Sequence, residues 1–297
     1  MIAADGDFWS QIFTFTNYGE LLVLLQNSII AGAVLGLVGG LIGVFVMSRD
    51  MAFAVHGISE LSFAGASAGL LFGVGVVEGS LVGSLVAAAL IGLLGSRARD
   101  RNSIIAVLMP FGLGLGILCL TLYPGRTANK FGLLTGQIVA VDNPRLNSLL
   151  AISIVVIIGL VVVWRPLMFA SVDVDVASAR GVPTRFLSLY FMLLLGLAVA
   201  VSVQVVGSLL VLSILVTPAA AALRLSSSPV LVPLFSTVFA VVSLVGGILL
   251  ALGGSIPISP YVTTISFLIY AVCRIIAAVR KRRGNAGRIA GPALAQS

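Results

Sequence analysis

Apolar stretches close to the length needed to cross a bilayer follow one another along almost the whole chain, and no other feature constrains the fold as strongly. A spanning helix needs about 20 apolar residues. Reading apolar runs against their breakers gives spans at Leu21–Met47, Ala52–Val76, Leu81–Leu94, Ile104–Tyr123, Leu149–Trp164, Phe186–Val203, Val205–Leu223, Val230–Leu252 and Tyr261–Val279. Several are short or rich in glycine. The expected fold is therefore an all-α polytopic membrane helical bundle of eight or nine transmembrane helices, some broken or re-entrant. A soluble fold is excluded by composition: only 9% of the 297 residues are charged and 59% are hydrophobic, whereas about a quarter of a soluble domain is charged.

The net charge of +7 does not point to nucleic acid, because the basic residues stand in short clusters between apolar runs rather than along one face. With the N-terminus outside, all 17 Lys and Arg except Arg126, Lys130 and Arg145 fall on the cytoplasmic side. That asymmetry sets the orientation and places the C-terminus in the cytoplasm of an inner or plasma membrane. Residues 1–20 are then an extracytoplasmic segment, 21–280 the transmembrane domain and 281–297 a basic cytoplasmic tail expected to be disordered. The first twenty residues carry Asp5, Asp7 and Glu20 without a cation, unlike the positive start of a cleavable signal, so this segment is expected to be retained. Cys119 and Cys273 are far apart in apolar runs and suggest neither a disulfide nor a thiolate site.

Glycines recur four apart, at Gly32, Gly36 and Gly40, at Gly65, Gly69 and Gly73, and at Gly112 and Gly116. In lipid, small residues at this spacing let helix backbones approach closely. Within this packing pattern stands the one histidine of the chain. His56 and Glu60 share a face of the second span, about 5–6 Å apart at Cβ. Ionisable residues inside a membrane are costly enough to read as functional, and an imidazole beside a carboxylate offers ligands suited to Zn²⁺, Mn²⁺ or Fe²⁺. A His–Glu contact that merely fastens the helix is the other reading of the same pair. Two ligands do not complete a site, so others would come from neighbouring helices or a second copy.

Other signals are weaker or negative. Gly65-Ala66-Ser67-Ala68-Gly69 matches a nucleophile-elbow pattern without its strand–turn–helix setting, and Ser67 is about 16 Å along the helix from His56. A Walker A sequence requires Gly-Lys-Ser/Thr; the two lysines, Lys130 and Lys281, precede Phe131 and Arg282. The loop with Asp173, Asp175, Ala177 and Gly181 reads as a short capped helix, either a dock for a cytoplasmic partner or a plain connection. Between Phe186 and Leu223 the apolar run is interrupted near Gly207 and at Pro218; such breaks line transport pathways in some bundles and merely end helices in others.

Four segments in order resemble the permease subunits of the zinc/manganese uptake ABC transporter family, over about Leu35 to Arg274. Arg49-Asp50-Met51-Ala52-Phe53, continuing through Glu60-Leu61-Ser62-Phe63-Ala64-Gly65, is similar to R-R-M-x-Y-x-G-D-x-L-x-H-A-x-L-x-G. Leu134-Thr135-Gly136-Gln137-Ile138-Val139-Ala140-Val141 resembles F-G-D-x-L-A-V. Asp175-Val176-Ala177 to Gly181-Val182 resembles D-x-A-x-x-x-G-V. Val206-Gly207-Ser208-Leu209-Leu210-Val211 through Thr217-Pro218-Ala219-Ala220 resembles V-G-x-L-L-V and P-A-A-x-A. Where the family has Asp and then His four residues on, this chain has His56 and then Glu60, the same two ligand types in exchanged order. The family's acid in the second segment is Gln137 here, with Asp142 a candidate substitute on the metal pathway.

The resemblance implies a non-enzymatic permease subunit of an ATP-driven importer that moves divalent zinc, manganese or iron inward and binds no cofactor of its own. It further implies a second permease copy (a homodimer), cytoplasmic ATPase subunits seated on the Asp175–Gly181 loop, and an extracytoplasmic solute-binding protein that delivers metal. A permease for a metal chelate or other small solute and an ion-coupled secondary transporter are the alternatives.

Overall fold

A computed structural model describes residues 18–95, 98–125, 141–208, 210–252 and 258–289. Among them every regular element is a helix. The chain opens with α1 (Tyr18–Leu24) and α2 (Gln26–Ser48), then α3 (Ala52–Phe72), α4 (Val76–Leu94) and α5 (Ala98–Leu122). α6 (Asn143–Val172) is joined by the short α7 (Val174–Ala179) to α8 (Thr184–Val206). The last elements are α9 (Val211–Leu215), α10 (Thr217–Leu225), α11 (Leu231–Ala251) and α12 (Ile258–Ile289).

Among the described residues seven helices are long and apolar enough to cross a membrane, against the eight or nine expected, so the protein is a multi-pass membrane protein. Two segments account for the difference. α3 has the length, at 21 residues, but carries His56, Glu60 and three serines and is not among the seven. The expected span Val205–Leu223 is interrupted: α8 ends at Val206, Gly207 takes φ +80°, and the chain resumes as the short helices α9 and α10. Pro218 sits in the first turn of α10, where its missing N–H costs nothing. α12 continues through Ile289, into the segment expected to be the basic tail; residues 290–297 and 1–17 lie outside the described residues.

Glycines decide which helices meet. A Cβ added at Gly36 would fall 2.7 Å from the Val241 backbone, and Ser236 Oγ donates to the Gly40 carbonyl at 2.7 Å. α2 and α11 thus touch backbone to backbone, as small residues allow in lipid. Gly65 and Gly79 are in similar register between α3 and α4, where a Cβ on Gly65 would lie 2.9 Å from the Gly83 Cα. The bulky core sits behind these contacts: Phe45 of α2 meets the Trp164 ring of α6 edge-on at 4.9 Å and Phe191 of α8 at 6.0 Å.

Candidate metal-handling site on a polar helix

The link from α2 to α3 sets where the polar helix begins. Asp50 takes a left-handed φ of 57°, and Arg101 at the start of α5 donates to the Arg49 and Asp50 carbonyls at 3.3 Å each. The Arg49 guanidinium lies 5.8 Å from the Phe191 ring centroid. Burial, and then the charge of Arg101, hold it below its ordinary pKa. This turn clamps the first residue of α3 at the basic end of the bundle.

His56 and Glu60 stand four and eight residues into α3, about 6 and 12 Å from its start at about 1.5 Å per residue. Glu60 is therefore about two turns into α3, where its side chain is 6% exposed. Its position is fixed from α5, where a Cβ on Gly112 would meet the Glu60 carbonyl carbon at 3.0 Å. His56 Nε2 lies 3.9 Å from Glu60 Oε1, with the side chains 28% and 6% exposed. That separation is too long for a hydrogen bond. His56 Nδ1 and Glu60 Oε2 are buried with no hydrogen-bond partner, which is an expensive arrangement unless something else engages them. Phe53, three residues before His56 on the same face, is largely exposed, so that face is open at its N-terminal end, while His56 and Glu60 are mostly covered by this chain.

Hydroxyls below the pair are satisfied internally. Ser59 Oγ donates to the His56 carbonyl at 2.8 Å; Ser62 Oγ and Ser80 Oγ are 2.7 Å apart, and Ser80 Oγ donates to the Ala200 carbonyl at 3.2 Å. Ser67 Oγ donates back to the Phe63 carbonyl at 2.8 Å, a helix-capturing bond rather than a nucleophile's environment.

The remaining sequence candidates are not gathered here. Asp142 is the N-cap of α6, accepting from the Arg145 backbone N–H at 3.3 Å with its carboxylate 3.8 Å from Arg145 Nε. Its neighbours Val141 and Asn143 accept from Asn27 at the opposite end of α2 from Arg49. Gln137 lies outside the described residues. No group of three or more His, Cys, Asp or Glu able to hold a metal occurs among the described residues. Asp173 caps α7, accepting from the Asp175 and Val176 N–H groups at 3.0 and 2.9 Å. Ala177 is fully buried against the bundle, and Gly181 closes the turn at φ +83°. Val174 and Val176 are exposed beside Asp175. Gln204 Nε2 and Ser208 Oγ, flanking the Gly207 break, are buried and unpartnered; a glutamine in an otherwise apolar span was the signal for them.

Comparison with known proteins gives one answer. The profile of the ABC 3 transport family matches residues 22–277. The manganese transport system membrane protein MntC of Halalkalibacterium halodurans is 29% identical over 225 residues, spanning 75% of this chain and 77% of that protein. The high-affinity zinc uptake system membrane protein ZnuB of Haemophilus influenzae is 25% identical over 77% of this chain and 88% of its own length. Among solved structures, PsaBC from Streptococcus pneumoniae in complex with Fab superposes with a TM-score of 0.78 at 23% identity, over 88% of this chain and 95% of that one, so the folds agree. The match across nearly all the described helices assigns the chain to the ABC 3 transport family.

Proposed function

We propose that the chain is the membrane-spanning permease subunit of an ABC importer that carries a divalent transition metal into the cytoplasm, with His56 and Glu60 as ligands along its path. The observation that carries this reading is the pair itself: an imidazole and a carboxylate in the membrane, 3.9 Å apart, each with a buried polar atom unpaired. Neutral imidazole and carboxylate suit Zn²⁺ and Mn²⁺, the metals in the names of the zinc and manganese relatives. One chain supplies two such ligands. A second copy apposed at α3 beside the exposed Phe53 would supply two more and complete a four-ligand set.

ATP hydrolysis belongs to a separate cytoplasmic subunit seated on α7, where Asp173 and Asp175 present a capped helix and Ala177 anchors it to the bundle. An extracytoplasmic binding protein delivers the metal, and the broken segment around Gly207 and Pro218 lets the pathway open on alternate sides. The C-terminus lies on the cytoplasmic side with the basic residues. The test is metal accumulation by cells whose only importer of this class carries this chain. H56A and E60Q are expected to abolish ATP-dependent uptake while the ATPase still co-purifies. Normal uptake in both variants would overturn the ligand assignment, and uptake without any bound ATPase would favour an ion-coupled transporter.

A further inference from the structure

Two cavities on the outer flank of the bundle join into one groove. The first, about 600 Å³, lies between the ends of α2, α6 and α10; the second, about 470 Å³, continues along α2 and α11. Trp164, Pro229 and Pro233 line both. Charge is confined to one end, where Arg165 lines the first cavity together with the hydroxyl-bearing Ser48, Ser227 and Ser228. The other end, at Leu37 and Thr237, is bounded almost entirely by hydrocarbon. Arg165 is exposed, and neither of the ion pairs found among the described residues involves it.

We propose that this groove binds a glycerophospholipid with an anionic headgroup, its phosphate on Arg165 and an acyl chain laid along α2. Dimensions and polarity both fit. From Ser48 to Leu37 is eleven residues of α2, about 16 Å at about 1.5 Å per residue. That equals one leaflet's hydrocarbon thickness, about half of 30 Å. α6 has 30 residues, about 45 Å, which is longer than the bilayer core. Arg165, seven residues before the end of α6, thus falls at the headgroup boundary, with Trp164 beside it at the depth where indole rings concentrate. A cation at one end and an apolar trough one acyl chain long describe an amphiphile rather than another helix, which would leave the guanidinium against apolar side chains.

The chain has two tryptophans, Trp9 and Trp164, so the full-length W9F chain reports on the groove alone. It is reconstituted in phosphatidylcholine vesicles doped with acyl-brominated phosphatidylglycerol or acyl-brominated phosphatidylcholine, and Trp164 quenching is measured. Phosphatidylglycerol is expected to quench at about fivefold lower mole fraction, the advantage of about 1 kcal/mol for one basic residue at an anionic surface. R165K is expected to keep that preference, and R165Q to bring the two lipids to parity. Equal quenching with Arg165 in place, or an unchanged preference in R165Q, overturns the headgroup assignment. Absence of quenching by either lipid means that protein, such as a second copy, fills the groove, and overturns the proposal altogether. None of these outcomes depends on which cargo the importer carries.

Discussion

His56 Nε2 and Glu60 Oε1 are 3.9 Å apart on one face of α3, too far to bond each other, while His56 Nδ1 and Glu60 Oε2 are buried without partners. The pair thus does not satisfy itself, and on the proposed reading a passing cation is what engages the two side chains.

The first prediction follows from ligand type rather than order. H56A or E60Q is expected to lower ATP-dependent metal uptake at least about tenfold, a loss that even outer-shell partners of metal ligands cause. The exchanged variant H56E/E60H keeps one imidazole and one carboxylate on the face and is expected to recover a substantial part of the rate. Radiometal uptake into cells distinguishes these outcomes. An exchanged variant as inactive as H56A would show that position, and not ligand type, sets the site.

Two glycines on α5 make a matched test of how that pair is held. A Cβ at Gly112 would press on the Glu60 carbonyl carbon at 3.0 Å and the Leu61 nitrogen at 3.1 Å, whereas nothing lies within 4 Å of one at Gly114. G112A is expected to cost about 1–3 kcal/mol, as overpacking does, and to slow uptake by displacing Glu60. G114A is expected to be neutral or up to about 1 kcal/mol more stable, from helix propensity. Thermal melts of the purified complex, read beside uptake, check both.

The short helix α7 gives a prediction that separates folding from docking. Asp173 accepts from two backbone N–H groups, so D173A is expected to cost about 1 kcal/mol of local stability, the typical loss of an N-cap, and to reduce ATPase co-purification. D173N retains a capping oxygen and is expected to keep both. Were D173N as defective as D173A, the negative charge rather than the cap would be what the partner reads.

Much of this arrangement was legible in the residues, for a physical reason. The apolar runs report on solvent, and lipid imposes helices because every backbone polar group must be satisfied within the segment. Gly36, Gly40 and Gly65 announced close helix contacts because little else permits them. The pair at His56 and Glu60 was legible because its spacing is local. What escaped was long-range. Arg101 clamps the Arg49–Asp50 turn from fifty residues away, and no pattern in either stretch encodes that. Asp142 looked available beside Gln137, yet it is engaged as the cap of α6. The polar character of α3 is also what sets it apart from the seven apolar spans.

The interruption after α8 yields the last prediction. Gly207 combines φ +80° with ψ 159°, a region that residues with a Cβ enter only under strain of about 1–3 kcal/mol. Its N–H still donates to the Val203 carbonyl at 3.0 Å and its carbonyl accepts from Leu210 at 3.3 Å, so the chain turns out of one helix without losing its bonds. G207A is therefore expected either to straighten α8 into the following segment or to keep the turn at that cost. Straightening displaces the buried Gln204 and Ser208 beside the break and lowers uptake several-fold, whereas a kept turn shows only the lost stability. Pro218 contributes differently, since in the first turn of α10 it forfeits no helical bond. P218A is expected to leave uptake within about twofold and the melting temperature nearly unchanged, because the altered residue stands where its N–H has no intrahelical acceptor. Uptake and melting measured on the two variants together check this ordering. A transport defect in P218A deeper than that in G207A would move the hinge of the pathway from the glycine to the proline.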